Sequence, residues 1–257
     1  MFWLAAAFGV LSIASVLMIP RTAIDDRAAR GLESDSDGGG KAEAWKVLFE
    51  NKPLLVLGSS LALFHLGNGA MLPLYGMAVV AAHAGNPAIF VAATVVVAQA
   101  VMVVAAIVAM RMAETRGNWL VILIPFIALP IRGLAAASVI HGWSVFPVQA
   151  LDGIGAGLQS VAVPGLVARI LNGTGRVNVG QGAVMTVQGL GAALSPAIGG
   201  AIAQAVGYQT AFLTLGSFAL VSLTLWLVFA PLMKRACATA SGADEGSPRY
   251  AGAAHTS

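Results

Sequence analysis

The sequence predicts an all-α, polytopic membrane protein with seven transmembrane helices. Hydrophobic residues make up 58% of its 257 residues and charged residues only 10%, and the mean hydropathy is +0.84. Soluble globular domains carry about 25% charged residues. The composition therefore excludes an ordinary water-soluble enzyme, a disordered protein and a disulfide-rich secreted domain. The single Cys237 cannot form an internal disulfide.

Seven apolar stretches are each long enough to cross a bilayer, which requires about 20 residues of helix. The predicted spans are Phe2–Pro20, Pro53–Leu74, Ala88–Met110, Asn118–Ile140, Trp143–Leu171, Asn178–Val206 and Thr210–Leu232. The first stretch has no Lys or Arg before its apolar run, and Arg21 follows it. These features favour a true span over a signal peptide.

The distribution of Lys and Arg predicts the topology, because basic residues concentrate in cytoplasmic loops. All but one of the 14 Lys and Arg residues fall on one side of the predicted bilayer, and the exception, Arg132, lies within a span. The N-terminus is therefore predicted outside and the C-terminus in the cytoplasm. The net charge of +3 and the pI of about 9.4 then reflect topology and not nucleic-acid binding.

Four parts follow along the chain. They are a single transmembrane helix (1–20), a cytoplasmic loop (21–52), a six-helix bundle (53–232) and a disordered cytoplasmic tail (233–257). The loop has a flexible centre at Asp35–Gly40. After it, four apolar residues recur at helical spacing: Ala44, Trp45, Leu48 and Phe49. This spacing predicts a short interfacial helix on the cytoplasmic face, with a plain linker as the alternative.

A short internal repeat opens two groups of three spans. Phe64–Gly69 in the second span and Val148–Gly153 in the fifth both place a polar residue, then Asn or Asp three positions later, then Gly. Because the second copy lies three spans after the first, an odd number, the two groups enter the membrane from opposite faces. The last six spans are therefore predicted to form two inverted three-helix repeats, an arrangement that secondary transporters use often.

The sixth span contains a pattern of small residues and proline. Its fixed positions are Gly191, Ser195, Pro196, Gly199 and Gly200. The pattern is similar to Gly-x-x-x-Gly-Pro-x-x-Gly-Gly, the antiporter motif of the major facilitator superfamily, with Ser195 in place of a Gly. Gly207–Phe212 resembles the usual entry to the last helix of that family.

Two further segments carry the same resemblance. Leu151–Gly157 followed by Gly173–Arg176 is similar to the tenth helix and next loop of bacterial members. The turn Arg111–Gly117 resembles the Asp-Arg-x-Gly loop signature of the family, with Glu114 in place of Asp. Arg116 and Gly117 occupy the last two positions of that signature.

The resemblance implies that the chain corresponds to helix six, the loop between the two halves, and helices seven to twelve. It implies alternating-access transport of a small molecule, as proton-coupled drug or metabolite efflux across the bacterial inner membrane. In that family the substrate path runs between two halves, so an N-terminal half missing from this chain would supply the other wall. No cofactor and no metal are expected.

Ionisable residues within the predicted spans are costly and therefore candidates for function. They are Arg132, Asp152 and His65, and Asn68 and Gln149 lie one turn from His65 and Asp152. Asp152 and His65 are predicted near mid-membrane and are candidates for proton coupling, with hydrogen bonding between helices as the alternative. Arg132 is expected to pair with Asp152, or otherwise to extend toward the outer surface.

Two other interpretations stay open. A truncated remnant without independent transport would share this fold, and a seven-helix receptor would share the topology. A retinal pigment requires a lysine within the membrane, and all four Lys lie outside the predicted spans. The motifs of common hydrolases, metalloproteases and nucleotide-binding loops are absent from the sequence, so no enzyme activity is predicted.

Overall fold

The structure is a computed structural model, and it describes residues 2–20, 44–83, 87–139 and 141–237. In these residues ten α-helices follow one another: α1 (Phe2–Leu17), α2 (Ala44–Glu50), α3 (Lys52–Asn68), α4 (Met71–Ala81), α5 (Pro87–Arg116), α6 (Asn118–Ser138), α7 (Val145–Ile170), α8 (Val177–Val206), α9 (Tyr208–Val228) and α10 (Ala230–Cys237). The predicted flexible loop centre and the tail after Cys237 lie outside the described residues.

Six helical segments of the described chain are long and apolar enough to cross a bilayer. They are α3 together with α4, most of α5, and all of α6, α7, α8 and α9. These segments correspond to the second to seventh predicted spans and confirm an all-α polytopic membrane protein. Helix α1 has 16 residues. At about 1.5 Å per residue it falls short of the hydrocarbon core of about 30 Å, so its role as a span stays a prediction.

The six spans pack as two equivalent triplets. The first triplet is the α3–α4 segment, α5 and α6, and the second is α7, α8 and α9. Helix α5 packs on α7 as α8 packs on α3, and α6 packs on α7 as α9 packs on α3. Exchanging the triplets thus maps each pair onto another, and it maps the remaining major pair, α6 with α9, onto itself. This is the packing expected of inverted repeats.

Two single-residue turns at equivalent positions repeat the same backbone conformation. Gly117 joins α5 to α6 with φ 75° and ψ 166°, and Gly207 joins α8 to α9 with φ 93° and ψ 164°. This region is essentially restricted to glycine, because a Cβ atom would clash with the backbone. The predicted loop signature therefore places its Gly117 at a sharp turn between helices. Glu114 and Arg116 lie exposed just before it.

The second helix of each triplet leaves most of its apolar surface uncovered. In an apolar 18-residue stretch of α5, and in one of α8, only 17% of the stretch is buried inside the structure. The corresponding share is 56% for the α3–α4 segment and for α6. Apolar helix faces of this kind are covered by lipid or by another protein surface. Most of the buried core comes from the other helices, and it includes the aromatic pair Phe126 and Trp226, whose ring centroids are 5.6 Å apart.

The predicted short helix before the first of these six spans is present as α2. Its Val47 and Leu48 are buried against the bundle, while Trp45 and Phe49 are exposed. Of the predicted apolar residues whose burial the structure describes, Leu48 packs on the bundle, and Trp45 and Phe49 do not. The exposed aromatic residues agree with a location at the membrane surface, which stays a prediction.

The last described helix extends beyond the predicted end of the bundle. Helix α9 ends at Val228, and α10 continues the helical chain to Cys237, so residues 233–237 are helical and not part of a disordered tail. Cys237 is 1% exposed, and Arg169 Nη1 donates to its carbonyl oxygen at 3.2 Å. Burial raises the pKa of the Cys237 thiol to about 12, against the opposing charge of Arg169. Because only the thiolate reacts, labelling of this single cysteine reports opening of the fold.

Candidate functional site

A buried ion pair joins the two triplets. Arg132 on α6 places Nη1 2.7 Å from Asp152 Oδ1 on α7. The Arg132 side chain is 1% exposed and that of Asp152 is 21% exposed. This pair confirms the predicted contact between the two residues and excludes the alternative in which Arg132 extends to the outer surface.

Asn68 completes the cluster from a third helix. It is the last residue of α3, and its Oδ1 accepts a hydrogen bond from the same Arg132 Nη1. Removing a guanidinium from water costs several kcal/mol, which the carboxylate and the amide oxygen offset in part. The cluster therefore holds α3, α6 and α7 together through one cation.

A small polar cavity of about 70 Å³ lies beside the ion pair. Its polar lining comes from five side chains: His65, Asn68, Arg132, Asp152 and Gln159. His65 Nδ1 lies 2.9 Å from the carbonyl oxygen of Leu61. Because a carbonyl only accepts, Nδ1 carries hydrogen, and Nε2 of the neutral ring is left as an acceptor. The cavity thus collects a base, a carboxylate and a cation in one place.

Sequence reasoning missed Gln159 and placed Gln149 in the site. Gln149 is fully buried, but it does not line this cavity, and both of its amide atoms lack a partner among the described residues. Gln159, seven residues beyond Asp152 on α7, lines the cavity and is 7% exposed. The available signal was its spacing, since residues seven apart lie nearly on the same side of an α-helix.

The first of the six spans is broken beside the site. Helix α3 ends at Asn68 and α4 begins at Met71. Gly69 N still donates to His65 O at 2.8 Å, but Ala70 N donates instead to Ser195 Oγ of α8, also at 2.8 Å. A buried backbone N–H without a partner is costly, so this hydroxyl stabilises the break. The serine that departs from the family pattern therefore has a structural role.

The antiporter-like pattern divides between two sides of α8. Gly191, Ser195 and Gly199 repeat every four residues and face the α3–α4 segment. A Cβ atom on Gly191 would collide with the carbonyl oxygen of Ala62, whereas a Cβ atom on Gly200 would meet nothing within 4 Å. Pro196 and Gly200 instead line a cavity of about 260 Å³. The first three positions thus permit close helix packing.

Replacing Ser195 by Ala is expected to lower the stability of the bundle by about 1–3 kcal/mol, the usual cost of an unpaired buried polar group. The midpoint of thermal unfolding, followed by labelling of Cys237, measures the change. Ser217→Ala is the matched control, because Ser217 is exposed and its hydroxyl donates to Thr214 O of its own helix. Equal midpoints for the two variants would contradict the role assigned to Ser195.

The chain is similar to known proteins in sequence and in fold. No protein-family model matches the chain. It is 34% identical over 231 residues to two uncharacterised MFS-type transporters of Mycobacterium tuberculosis, from strains CDC 1551/Oshkosh and H37Rv. The match covers 90% of this chain and 55% of each relative. The chain therefore spans about half the length of the curated relatives it matches.

Solved structures show the same fold. Crystal structures of the peptide transporter POT, one with alafosfalin and one with sulfate, align with a TM-score of 0.60 at 16% sequence identity. The alignments cover 86% of this chain and 47% or 46% of the POT chains. At this identity the likeness concerns the fold alone, and again about half of the longer protein is matched.

Proposed function

Because this chain belongs to the major facilitator superfamily and corresponds to the C-terminal half of such a transporter, we propose that it carries one wall of a proton-coupled pathway for a small molecule. Its multi-pass bundle acts by alternating access, rocking against an N-terminal half across the substrate path. The described apolar faces of α5 and α8 offer surface for that partner. This function is transport and not enzymatic catalysis.

The observation that carries the proposal is the Arg132–Asp152 ion pair beside the polar cavity. Protonation of Asp152 removes its charge, and the attraction to Arg132 falls with it. Since the pair connects the two triplets, each protonation state favours a different packing of α6 against α7. His65, on the same cavity, is a second proton acceptor.

Sequence patterns support a direction of transport and a location of the protein. The likeness of Gly191–Gly200 to the antiporter motif favours efflux of a drug or metabolite in exchange for protons. The distribution of Lys and Arg favours an external N-terminus and a cytoplasmic C-terminus in a bacterial inner membrane.

Asp152→Asn is expected to abolish proton-driven flux while leaving the folded bundle intact, because the amide keeps a hydrogen-bond acceptor for Arg132 but cannot carry the proton. Everted vesicles containing this chain with its N-terminal half would be screened with drugs and organic acids for a transported solute. Flux of that solute under an imposed pH gradient is expected to fall to background in the variant. Solute exchange without a gradient is expected to persist.

Asp152→Glu is the matched control and keeps a titratable carboxylate. Undiminished proton-driven flux in Asp152→Asn would refute the coupling role. If the wild-type chain supports no flux of any tested solute, the remnant interpretation gains and the transport proposal fails.

A further inference from the structure

Two side chains that line the polar cavity carry donor atoms without acceptors. Arg132 Nε and Nη2 and Gln159 Nε2 are buried and have no hydrogen-bond partner among the described residues. Both side chains are more than nine-tenths buried, and both line the cavity beside Asp152. A buried donor without an acceptor destabilises the fold. The buried atoms that lack partners in the residues lining this cavity are all donors, so a bound group with acceptor oxygens would satisfy them.

We propose that this cavity binds the carboxylate group of the transported molecule, which is then an organic acid. The Nε–H and Nη2–H groups of one guanidinium lie side by side in a plane and match the two oxygens of a carboxylate. Gln159 Nε2 supplies a third donor from α7. This inference rests on the proposed transport function and names its substrate class.

The size and walls of the cavity agree with a carboxylate head and an apolar tail. Drug-sized ligands occupy pockets of about 300–1,000 Å³. A cavity of about 70 Å³ therefore receives a small group such as a carboxylate and not a whole drug-sized molecule. Phe64, Pro125, Leu129 and Leu151 form its apolar walls. Ala156 also lines the cavity and is exposed, so the remainder of the ligand can leave the cavity beside this residue.

Charge sets the relation between the ligand and Asp152. In the ligand-free cluster Arg132 is neutralised by Asp152, so an incoming carboxylate competes with that side chain for one guanidinium. Removing the charge of Asp152 frees Arg132 for the ligand. The variant Asp152→Asn is therefore expected to bind a carboxylate about tenfold more tightly than the wild type, although it is expected to lose proton coupling.

The test uses the purified 257-residue chain in lipid nanodiscs with butyrate as the probe. Unfolding is followed by labelling of Cys237, and butyramide serves as the uncharged ligand of the same shape at equal ionic strength. A ligand at ten times its Kd multiplies the folded-to-unfolded ratio about elevenfold. Butyrate is expected to give this stabilisation, whereas butyramide and added chloride are expected to give none.

Gln159→Leu is the preferred test variant, because replacing Arg132 would also break its ion pair with Asp152. It removes one donor and is expected to weaken butyrate binding about tenfold. Gln149→Leu is the matched control, since Gln149 is a buried amide on the same helix that does not line the cavity. Its butyrate affinity is expected to equal that of the wild type.

Equal stabilisation by butyrate and butyramide, or an unchanged affinity in Gln159→Leu, would overturn the carboxylate site and leave the cavity to water. The two proposals fail separately. If the wild-type chain does not bind butyrate but does support proton-driven flux, the result counts against the carboxylate site alone. Butyrate binding with full proton-driven flux in Asp152→Asn counts against the coupling role alone.

Discussion

Replacing Arg132 by Met is expected to destabilise the bundle by about 3–5 kcal/mol, the usual cost of removing one partner of a buried ion pair. Met matches the length of the aliphatic part of the side chain but carries no donor. Asp152 then keeps a carboxylate without its cation, and Asn68 Oδ1 loses the hydrogen bond from Nη1. The three helices α3, α6 and α7 lose their common contact.

The loss is measured as a lower midpoint of thermal unfolding in nanodiscs, with Cys237 labelling as the readout. Arg111→Met is the matched control, because Arg111 is exposed near the end of α5. Surface substitutions usually change stability by about 0.5 kcal/mol or less. If Arg132→Met unfolds at the same temperature as Arg111→Met, the ion pair does not stabilise the bundle.

Gly191→Ala is expected to destabilise the bundle by about 1–3 kcal/mol, the cost of overpacking a well-packed interior. The added methyl would collide with the carbonyl oxygen of Ala62, so α8 must move away from α3. The motion also strains the hydrogen bond of Ser195 to Ala70 N, which lies one turn further along α8. The close packing of α8 on α3 and the hydrogen bond that stabilises the break next to the candidate site are then disturbed together.

Gly189→Ala, two residues earlier on α8, is the matched control with the opposite expected sign. A methyl there meets nothing within 4 Å. Alanine favours a helix over glycine by up to about 1 kcal/mol, so this variant is expected to be as stable as the wild type or more so. Unfolding midpoints that move in the same direction for both variants would contradict the close approach of α8 and α3.

The sequence predicted the spans and the ion pair because the membrane restricts both. A polar backbone must be helical in lipid, and an ionised side chain in a span has few partners. Arg132 and Asp152 lie at similar depths, so pairing with each other offsets part of the cost of burying both charges. The last six spans agree with six helical segments of the described structure, although their ends differ by several residues.

The break at Gly69–Ala70 was not predictable from local sequence. The predicted span ended at Leu74, whereas the helical segment runs through the break to Ala81. The acceptor that stabilises the break, Ser195 Oγ, lies 125 residues away on α8. Only the packed fold brings the two together, and in the sequence Ser195 stood out merely as a departure from a glycine.

The exchange of Gln149 for Gln159 has a simpler geometric cause. An α-helix turns about 100° per residue, so three residues leave Gln149 about 60° from Asp152, while seven residues bring Gln159 within about 20° of it. Choosing a residue because it lies one helical turn from Asp152 was not accurate enough for a cavity this small. Applying the angle over two turns would have selected Gln159.

The Arg132–Asp152 ion pair is tested most directly by a double-mutant cycle on unfolding stability. The variants are Arg132→Met, Asp152→Leu and the double replacement, each measured in nanodiscs through Cys237. The single variants are expected to lose about 3–5 kcal/mol each, and the double variant much less than their sum, because neither charge is then left buried alone. Additive losses would show that the two side chains do not interact and would remove the basis of the proposed coupling.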